Sequence, residues 1–526
     1  MVLGYWLAQT ALPPTAANGN AARSVGNSNK NPLVDESATR FRTGVRLPSR
    51  HDDPAAAMAG ALEGQRVLVF KNQAAVAGWL AKLGDRVRLL GRLDTLHALR
   101  VGFADYDDLL ALLDGEQEQS FIFPVNAPSP GEGTVQPGAV ALDNNLLDWL
   151  GIKGNNSDWG RGVVIAILDT GVVANSAFHS SIQAITFVDL PADPAAQNGH
   201  GTAVASMIIG STDLTPGVAP GATILSVRIA NDDGQSDSFL LAKGIVAAVD
   251  AGARLINISM GSFGDSYIVR NAIDYANQNG ALIVAAVGNN GINQVAYPAA
   301  NDGVIAVGSV DGLGNPLAFS NTGREVAMAA PGYAVNAAWT NEQAVRVSGT
   351  SFSAPIVTGS IAAIMTQAGA GNLTPSAAYQ LLVSYLNDGG AAGKDAALGG
   401  GMPDIGRVLN GTTPGIYDAA LAATSIIAPD AGHPYGQVEI LVQNRGTETL
   451  INTGVQVSTG AGVVAANITA LAPNAVQSVR LPITQPPSAY PNGLQVDSKV
   501  VLSGGVIDAK PSNDRRVETY VAGGSP

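Results

Sequence analysis

The chain of 526 residues contains no cysteine, which excludes disulfide bonds, thiol nucleophiles and zinc–thiolate sites. It is also short of positive charge: 29 Lys and Arg residues stand against 42 Asp and Glu, a net charge of −13. That balance argues against nucleic acid or an anionic membrane as a partner. Aromatic residues make up only 5%, and no run approaches the roughly 18 apolar residues of a membrane span. The hydrophobic content of 46% and the 62 glycines indicate large cores packed from small residues.

This length predicts about three or four domains. Residues 1–60, rich in Ala, Asn, Ser and Pro, are expected to form a mobile tail. Its apolar start, Val2 to Ala8, follows no basic residue and so lacks the basic region of a secretion signal. Residues 61–126 show short patterns in the order β-α-β-β-α-β, with a last strand at Ser120 to Pro124. That order predicts a ferredoxin-like α+β domain. Residues 127–142, which carry Pro, Gly and Ser, are predicted to be an exposed linker.

Residues 143–411 have a different pattern, in which apolar strands alternate with helices. Five runs are continuously apolar and are expected to be strands: Val163 to Leu168, Thr223 to Val227, Leu255 to Ile258, Leu282 to Ala286 and Val304 to Val307. Continuous apolar strands are buried on both faces, so we expect a doubly wound, mostly parallel sheet covered by helices. Residues 412–526 instead carry short strand-like runs separated by Gly and Asn, which predict an Ig-like β-sandwich.

Four polar residues lie where elements of the predicted α/β domain end or begin. Asp169 follows the first strand in Leu168-Asp-Thr-Gly171, and Asn289 follows another in Ala285-Ala-Val-Gly-Asn289. His200 and Ser351 each open a helix rich in small residues. In open parallel sheets, functional groups collect at the carboxyl ends of the strands. Each residue alone has an ordinary explanation as a turn or cap residue, but four together predict one site.

This set of groups suits acyl transfer from an amide. Ser351 becomes a nucleophile when His200 takes its proton, and Asp169 would orient His200 and stabilise the imidazolium. The amide of Asn289 and the backbone N–H of Ser351 would bind the oxyanion. An aspartic protease needs two such carboxylates, and no second Asp-Thr-Gly occurs in the chain. A catalytically silent adhesion or binding protein on a protease fold stays open as an alternative.

The motifs resemble those of the subtilisin-like serine proteases, the subtilases. The segments that carry the resemblance occur in the family's order: Leu168-Asp-Thr-Gly171, His200-Gly-Thr202, Gly217-Val-Ala-Pro220, Asn257-Ile-Ser-Met-Gly261, Ala285-Ala-Val-Gly-Asn289 and Ser348-Gly-Thr-Ser-Phe-Ser-Ala-Pro355. The resemblance implies a triad of Asp169, His200 and Ser351 with Asn289 as oxyanion donor. A sedolisin-type acid peptidase would pair its Ser with Glu and Asp. His200, in its Gly-rich context, argues against that alternative.

By the same resemblance, residues 61–126 look like a propeptide that aids folding and blocks the cleft, with self-cleavage between about Phe123 and Asp143. Such a zymogen is expected to be secreted or periplasmic in a bacterium. Residues 412–526 are loosely similar to CARDB-type sandwiches, through Val438 to Gly446.

Substrate preference follows in part from the resemblance. Ser259, Met260 and Gly261 would pair with an extended substrate. Ala285, Ala286 and Val287 would wall the pocket for the residue before the cleaved bond (P1), with Ala296 near its floor. The loop from Gly288 to Tyr297 has no carboxylate, so broad cleavage after apolar or aromatic residues is expected.

The chain departs from the family at Ala203 and Ser206, where His and Gly are common, and local repacking is expected there. The chemistry requires no cofactor, but the resemblance raises the question of structural calcium, because many members of the family bind it. The short loop from Ile209 to Gly217 offers only Asp213, which puts a strong site there in doubt. Asn231-Asp-Asp-Gly234 could supply oxygen ligands, although a solvated turn is the simpler interpretation.

Overall fold

The computed structural model describes residues 60–128, 136–191, 196–368, 372–460, 462–490 and 493–520. The predicted tail, apart from Gly60, and part of the predicted linker lie outside the described residues. No helix in the described part of the chain has the length and apolar character needed to cross a bilayer.

The N-terminal unit is a four-stranded antiparallel sheet with two helices. Its elements are β1 (Gln65–Phe70), α1 (Gln73–Leu80), β2 (Val87–Leu93), β3 (Ala98–Phe103), α2 (Tyr106–Leu110) and β4 (Gln117–Ser120), in the sheet order β2-β3-β1-β4. The expected last strand at Ser120 to Pro124 is wrong, because β4 ends where that run begins. The apolar run was a misleading signal: Ile122 is buried against the central domain rather than in this sheet. A separate strand, β5 (Pro124–Asn126), follows it.

The central domain is built on a seven-stranded sheet in which every neighbouring pair is parallel, in the order β13-β12-β11-β10-β6-β8-β7. Its elements are α3 (Leu146–Trp149), β6 (Val164–Asp169), β7 (Ile182–Thr186), α4 (His200–Ile209), β8 (Thr223–Arg228), β9 (Gln235–Asp237), α5 (Ser238–Asp250), β10 (Leu255–Ile258), α6 (Tyr267–Gln278), β11 (Leu282–Ala286), β12 (Val304–Val310), β13 (Val326–Pro331), β14 (Val335–Ala338), β15 (Ala344–Val347), α7 (Thr350–Gln367), α8 (Pro375–Val383) and α9 (Ile405–Asn410).

Both faces of this sheet are covered by helices, as the continuous apolar strands predicted. Alternate residues of β6 enter different cores: Ile165 and Ile167 pack with α4 and α7, whereas Ala166 and Leu168 pack with α5 and α6. The helix α7 runs through the first of these cores, and its residues 350–365 are all buried. Small residues allow this close packing, since a Cβ on Gly359 would lie 2.9 Å from Val218. The helix that begins beside Ser351 is therefore fixed in the interior.

The C-terminal region contains two antiparallel sheets that share one hydrophobic core. Its strands are β16 (Ala419–Ile427), β17 (Gln437–Asn444), β18 (Leu450–Thr459), β19 (Gly462–Leu471), β20 (Val476–Pro482), β21 (Leu494–Val501) and β22 (Arg515–Tyr520). The sheet orders are β16-β17-β20 and β19-β18-β21-β22.

Two arginines join this region to the central domain. Arg407 donates through Nη1 to the carbonyls of Tyr385 and Leu386 and through Nη2 to Asn474, at 2.6–3.1 Å. Arg445 donates through Nη2 to the Asp388 carbonyl at 3.2 Å, and burial lowers its pKa to about 10. Buried polar groups are retained only when they are hydrogen-bonded, so these contacts hold the two regions in a defined arrangement.

Candidate active site

The four predicted site residues come from four different elements of the central domain. Asp169 is the last residue of β6, and His200 is the first residue of α4. Asn289 lies three residues after the end of β11. Ser351 is the second residue of α7, whose N-cap is Gly349 at φ +146°, a conformation that favours glycine. The Ser351 side chain is therefore presented at a helix N-terminus, where free N–H groups favour negative charge.

Asp169 and His200 form a close, buried pair. The Nδ1 atom of His200 lies 2.8 Å and 3.0 Å from the two carboxylate oxygens of Asp169, and neither side chain is exposed. The backbone N–H of Thr170 donates to Asp169 Oδ1 at 2.7 Å, which holds the carboxylate in place. The backbone N–H of His200 donates to Asn198 Oδ1 at 2.9 Å. With Nδ1 protonated toward Asp169, the lone pair of Nε2 is left for a second partner.

The hydroxyl of Ser351 is bonded elsewhere in this structure. Its Oγ donates to the backbone carbonyl of Ser259 at 3.0 Å. The Nε2 atom of His200 is buried and has no hydrogen-bond partner in the described part of the chain. The pair of Asp169 and His200 is thus formed, whereas a hydrogen bond between Ser351 and His200 requires Oγ to leave Ser259.

A second contact fixes the backbone around Ser351. Pro355 is the sixth residue of α7 and lies inside the helix. Proline there removes the N–H that would bind the carbonyl four residues earlier, which is the carbonyl of Ser351. Ser259 Oγ donates to that carbonyl at 2.7 Å and replaces the missing bond. Ser259 therefore contacts Ser351 through both its side chain and its backbone.

Asn289 is anchored through its amide oxygen. Oδ1 accepts hydrogen bonds from the backbone N–H of Thr350 at 2.9 Å and from its Oγ1 at 2.8 Å. The amide nitrogen is on the side of Gly349, where a Cβ would lie 3.1 Å from it. Because the oxygen is used as an acceptor, the NH₂ group remains available as a donor next to the start of α7. This is the placement that an oxyanion donor requires.

The predicted substrate-binding residues lie around this centre. Gly261 exchanges two backbone hydrogen bonds of 3.1 Å with Asn126, so it pairs with an extended strand in this structure. Ala285 and Ala286 end β11 and Val287 follows directly; all three are buried, as is Met260. The N–H of Ala296 donates to the Val287 carbonyl at 2.9 Å, which brings Ala296 beside that segment.

Three contacts at the site were missed by the sequence analysis. Strand β9 pairs with β5, and so forms the other side of the groove that holds residues 124–126. The indole of Trp339 lies against Gly199, since a Cβ there would come within 2.3 Å of the ring. Phe352 lies beside His200, with ring centroids 5.6 Å apart. Of these three contacts, only that of Phe352 could have been found from the sequence, because Phe352 directly follows Ser351 in the motif.

The stretch Asn231-Asp-Asp-Gly234 is a turn, as interpreted, but only partly solvated: Asp233 is exposed, whereas Gly234 is buried. Asp232 accepts hydrogen bonds from the buried Arg228 at 2.9 Å and from the backbone N–H of Asn198 at 2.9 Å, two residues before His200. The carbonyl of Gly234 accepts from Ala127 at 2.8 Å. This turn is thus part of the site's framework. In the described part of the chain, no cluster of three His, Asp or Glu side chains is arranged to hold a metal ion, and Asp213 is exposed.

Comparisons with known proteins match the part of the chain that carries these residues. The profile of the subtilase family, peptidase S8, matches residues 160–401. The thermostable alkaline protease of Halalkalibacterium halodurans is 35% identical over 215 residues, which are 40% of this chain and 59% of that protein. This chain thus spans about three fifths of that relative's length.

Of two further relatives, one supports the assignment of the fold and the other the assignment of the family. One is the solved structure of the leader peptide processing serine protease EpiP of Staphylococcus aureus, which is 21% identical to this chain with a TM-score of 0.52. The match covers 66% of this chain and 98% of EpiP. At that identity, the similarity shows the fold alone. Subtilisin DY of Bacillus licheniformis is 33% identical over 240 residues, which are 44% of this chain and 85% of subtilisin DY. With that coverage, and with the family profile spanning all four site residues, the chain belongs to the subtilase family.

Proposed function

We propose that the protein is a serine endopeptidase that hydrolyses peptide bonds through an acyl-enzyme. The observation that carries this proposal is the buried contact of Asp169 with Nδ1 of His200, beside the helix that presents Ser351. A buried carboxylate is costly unless it is hydrogen-bonded, and here it is placed where it stabilises an imidazolium. Its relatives include proteins named as subtilisins and alkaline proteases, which supports the same chemistry.

In the first half of the reaction, His200 Nε2 removes the proton from Ser351 Oγ as the oxygen attacks the substrate carbonyl. The negative charge that develops on the carbonyl oxygen is bound by the NH₂ of Asn289 and the backbone N–H of Ser351. The imidazolium then gives its proton to the leaving amine, and the C–N bond breaks. In the second half, water attacks the acyl group with His200 again acting as base, and Ser351 recovers its proton.

The substrate is proposed to be an extended segment of protein. It would lie between Gly234 on one side and Gly261 on the other, because an extended segment of the chain itself, residues 124–127, occupies this groove now. Backbone pairing of this kind gives affinity with little dependence on sequence. The P1 pocket is proposed to be walled by Ala285, Ala286, Val287 and Ala296, which offer only apolar surface and so favour an apolar or aromatic residue.

The N-terminal unit is proposed to be a ferredoxin-like propeptide that acts as an intramolecular inhibitor and a folding aid. Its sheet meets α5, where Arg100 forms an ion pair of 2.8 Å with Asp237 that is nearly excluded from solvent. Asp237 also caps α5 by accepting from the N–H groups of Phe239 and Leu240. The chain then enters the groove at β5. This continuity supports self-cleavage between about Phe123 and Asp143 and a mature enzyme that begins with the central domain.

The remaining assignments rest on the resemblance. The C-terminal pair of sheets is proposed to be a CARDB-like sandwich that stabilises the enzyme, and its hydrogen-bonded junction at Arg407 and Arg445 supports that role over a freely moving module. The protein is proposed to be secreted or periplasmic, since a zymogen confines activity until export is complete. Structural calcium remains a proposal without an assigned site.

The test is hydrolysis of a protein substrate by wild-type chain and by the Ser351→Ala variant, after each has been freed of its N-terminal unit. We expect hydrolysis by the wild type and none by the variant. Equal behaviour of the two proteins would support the alternative, a silent binding protein on a protease fold.

A further inference from the structure

The segment in the groove is held from both sides in a single register. On one side β5 pairs with β9, and the pairing continues with the N–H of Ala127 donating to the Gly234 carbonyl at 2.8 Å. On the other side Asn126 both donates to and accepts from Gly261 at 3.1 Å. Exchange of two bonds by one residue pair is the mark of an antiparallel ladder, so the register is defined at Asn126.

That register places Pro128 opposite Ser259. In antiparallel pairing the two chains advance in opposite directions, so Ala127 comes opposite Met260 and Pro128 opposite Ser259. Hydrogen-bonded pairs alternate along such a ladder, and Pro128 with Ser259 is the next pair that would exchange bonds. Ser259 is also the residue that contacts Ser351 twice, through its carbonyl and its hydroxyl. The carbonyl of Pro128 therefore ends the segment on the side of the groove where Ser351 lies.

Proline cannot complete this pair, because it has no backbone N–H. The Ser259 carbonyl, which an N–H at position 128 would occupy, instead accepts the hydroxyl proton of Ser351 at 3.0 Å. At the same time, Nε2 of His200 is buried without a hydrogen-bond partner in the described part of the chain. The nucleophile is thus bonded to the carbonyl that should hold the substrate, and its proton is directed away from the base.

We propose that Pro128 makes residues 124–128 an autoinhibitory strand, which the site binds in the direction of a substrate but cuts slowly. This inference rests on the proposed function. It adds that one residue of this chain, Pro128, slows self-cleavage and so keeps the zymogen uncut. A residue with an N–H at position 128 would compete for the Ser259 carbonyl and free the Ser351 hydroxyl for His200. The peptide bond after Pro128 would then be attacked by the chain's own serine.

The experiment compares full-length wild type with Pro128→Ala and with Pro124→Ala as matched control, by intact mass and N-terminal sequencing over time. Pro124 also lies in the groove segment, but it faces Asp237 of β9 rather than Ser259. We expect Pro128→Ala to be cut after residue 128 about ten-fold faster than wild type, the effect of one hydrogen bond. Pro124→Ala should behave like wild type, and the double variant Pro128→Ala with Ser351→Ala should stay intact.

A second measurement does not depend on folding of the variant chain. Peptides with the sequence of residues 122–134, carrying Pro or Ala at position 128, are offered to wild-type enzyme freed of its N-terminal unit. The Ala peptide should be cut after position 128, and the Pro peptide should be cut about ten-fold more slowly.

The outcomes separate this inference from the proposed function. If the enzyme still hydrolyses other peptides but cuts after position 128 at equal rates with Pro or Ala there, the role of Pro128 is overturned. The proposed protease function would stand in that case. Absence of any hydrolysis by the freed wild type would overturn both.

Discussion

The two carboxylate oxygens of Asp169 lie 2.8 Å and 3.0 Å from Nδ1 of His200, and neither side chain is exposed to solvent. This contact joins the end of a central strand to the start of a helix, β6 to α4. It fixes which nitrogen of His200 carries the proton, on the side of Asp169, and leaves the lone pair on Nε2. The proposed role of His200 as the base that activates Ser351 depends on this contact.

Replacing Asp169 with Asn should abolish most of the activity. The Asn side chain would offer its NH₂ to Nδ1 and so favour the tautomer with the proton on Nε2, where it blocks the base. In a chymotrypsin-type enzyme the same change lowers kcat by roughly 10⁴-fold, and we expect a loss of that order here. Peptide hydrolysis measures it, with the exposed Asp213→Asn as control. A loss below about ten-fold would contradict the role of Asp169.

Replacing Asn289 with Ala should lower kcat far more than it raises KM, because the amide would act on charge that exists only in the transition state. In subtilisin, removing the oxyanion donor costs roughly 10²–10³-fold in kcat, and a loss of that size is expected here. The neighbouring Asn290→Ala, at an exposed position, serves as control. If KM rose while kcat stayed unchanged, Asn289 would be a binding residue and not an oxyanion donor.

Replacing Arg100 with Ala should weaken the attachment of the N-terminal unit to the central domain. The change leaves Asp237 without its ion-pair partner in a nearly buried position. Loss of one partner of a buried pair costs roughly 3 kcal/mol, or about a hundred-fold in affinity. Co-elution of the two parts after cleavage measures the effect. Arg92→Ala removes only an exposed pair with Asp94 within the unit, and it should change nothing.

The C-terminal region should lose stability as pH rises from about 4 to 7. The pKa of Asp514 is raised to about 7, first by desolvation and then by the nearby carboxylates of Asp508 and Asp418, with Lys499 opposing. The folded state therefore binds the proton more tightly than the unfolded state, and the stabilisation is lost as the proton leaves. Calorimetry between pH 4 and 8 should show a falling Tm that Asp514→Asn makes flatter.

Asp497 provides a control of opposite sign in the same sheet. Its pKa is lowered, chiefly by the hydrogen bond from Arg515, so its contribution to stability is present at neutral pH and is lost as pH falls toward the folded pKa. Asp497→Asn should therefore reduce stability at neutral pH and leave the fall in Tm between pH 4 and 7 in place. A flat Tm in the wild type across this range would contradict the assignment to Asp514.

The sequence predicted the parts of the fold that are buried on both faces. The strand that ends at Asp169 is an uninterrupted apolar run, and the parallel sheet follows from such runs. The two edge strands β7 and β13 were missed for different reasons. Strand β7 is partly exposed and carries little apolar signal, whereas β13 ends at Pro331, which is tolerated because it lies at the edge of the sheet.

The site was predictable as a set of residues but not as a set of contacts. Asp169, His200, Asn289 and Ser351 have local motifs, and their elements determine where they lie. The hydrogen bond from the Ser351 hydroxyl to the Ser259 carbonyl depends on which donors come close to that carbonyl in the folded protein. No local sequence pattern indicates which donors these are. The groove segment was equally hidden, because it runs from the predicted last strand into the predicted linker, and its pairing depends on β9 and Gly261, which are distant in sequence.

The most direct test of the central claim is the reaction of the protein, freed of its N-terminal unit, with a fluorophosphonate probe, followed by mass mapping of the adduct. The account predicts one adduct, on Ser351, that is lost in Ser351→Ala and strongly slowed in Asp169→Asn. A freed wild-type chain that stays unlabelled while it remains folded, or an adduct on another serine, would contradict it.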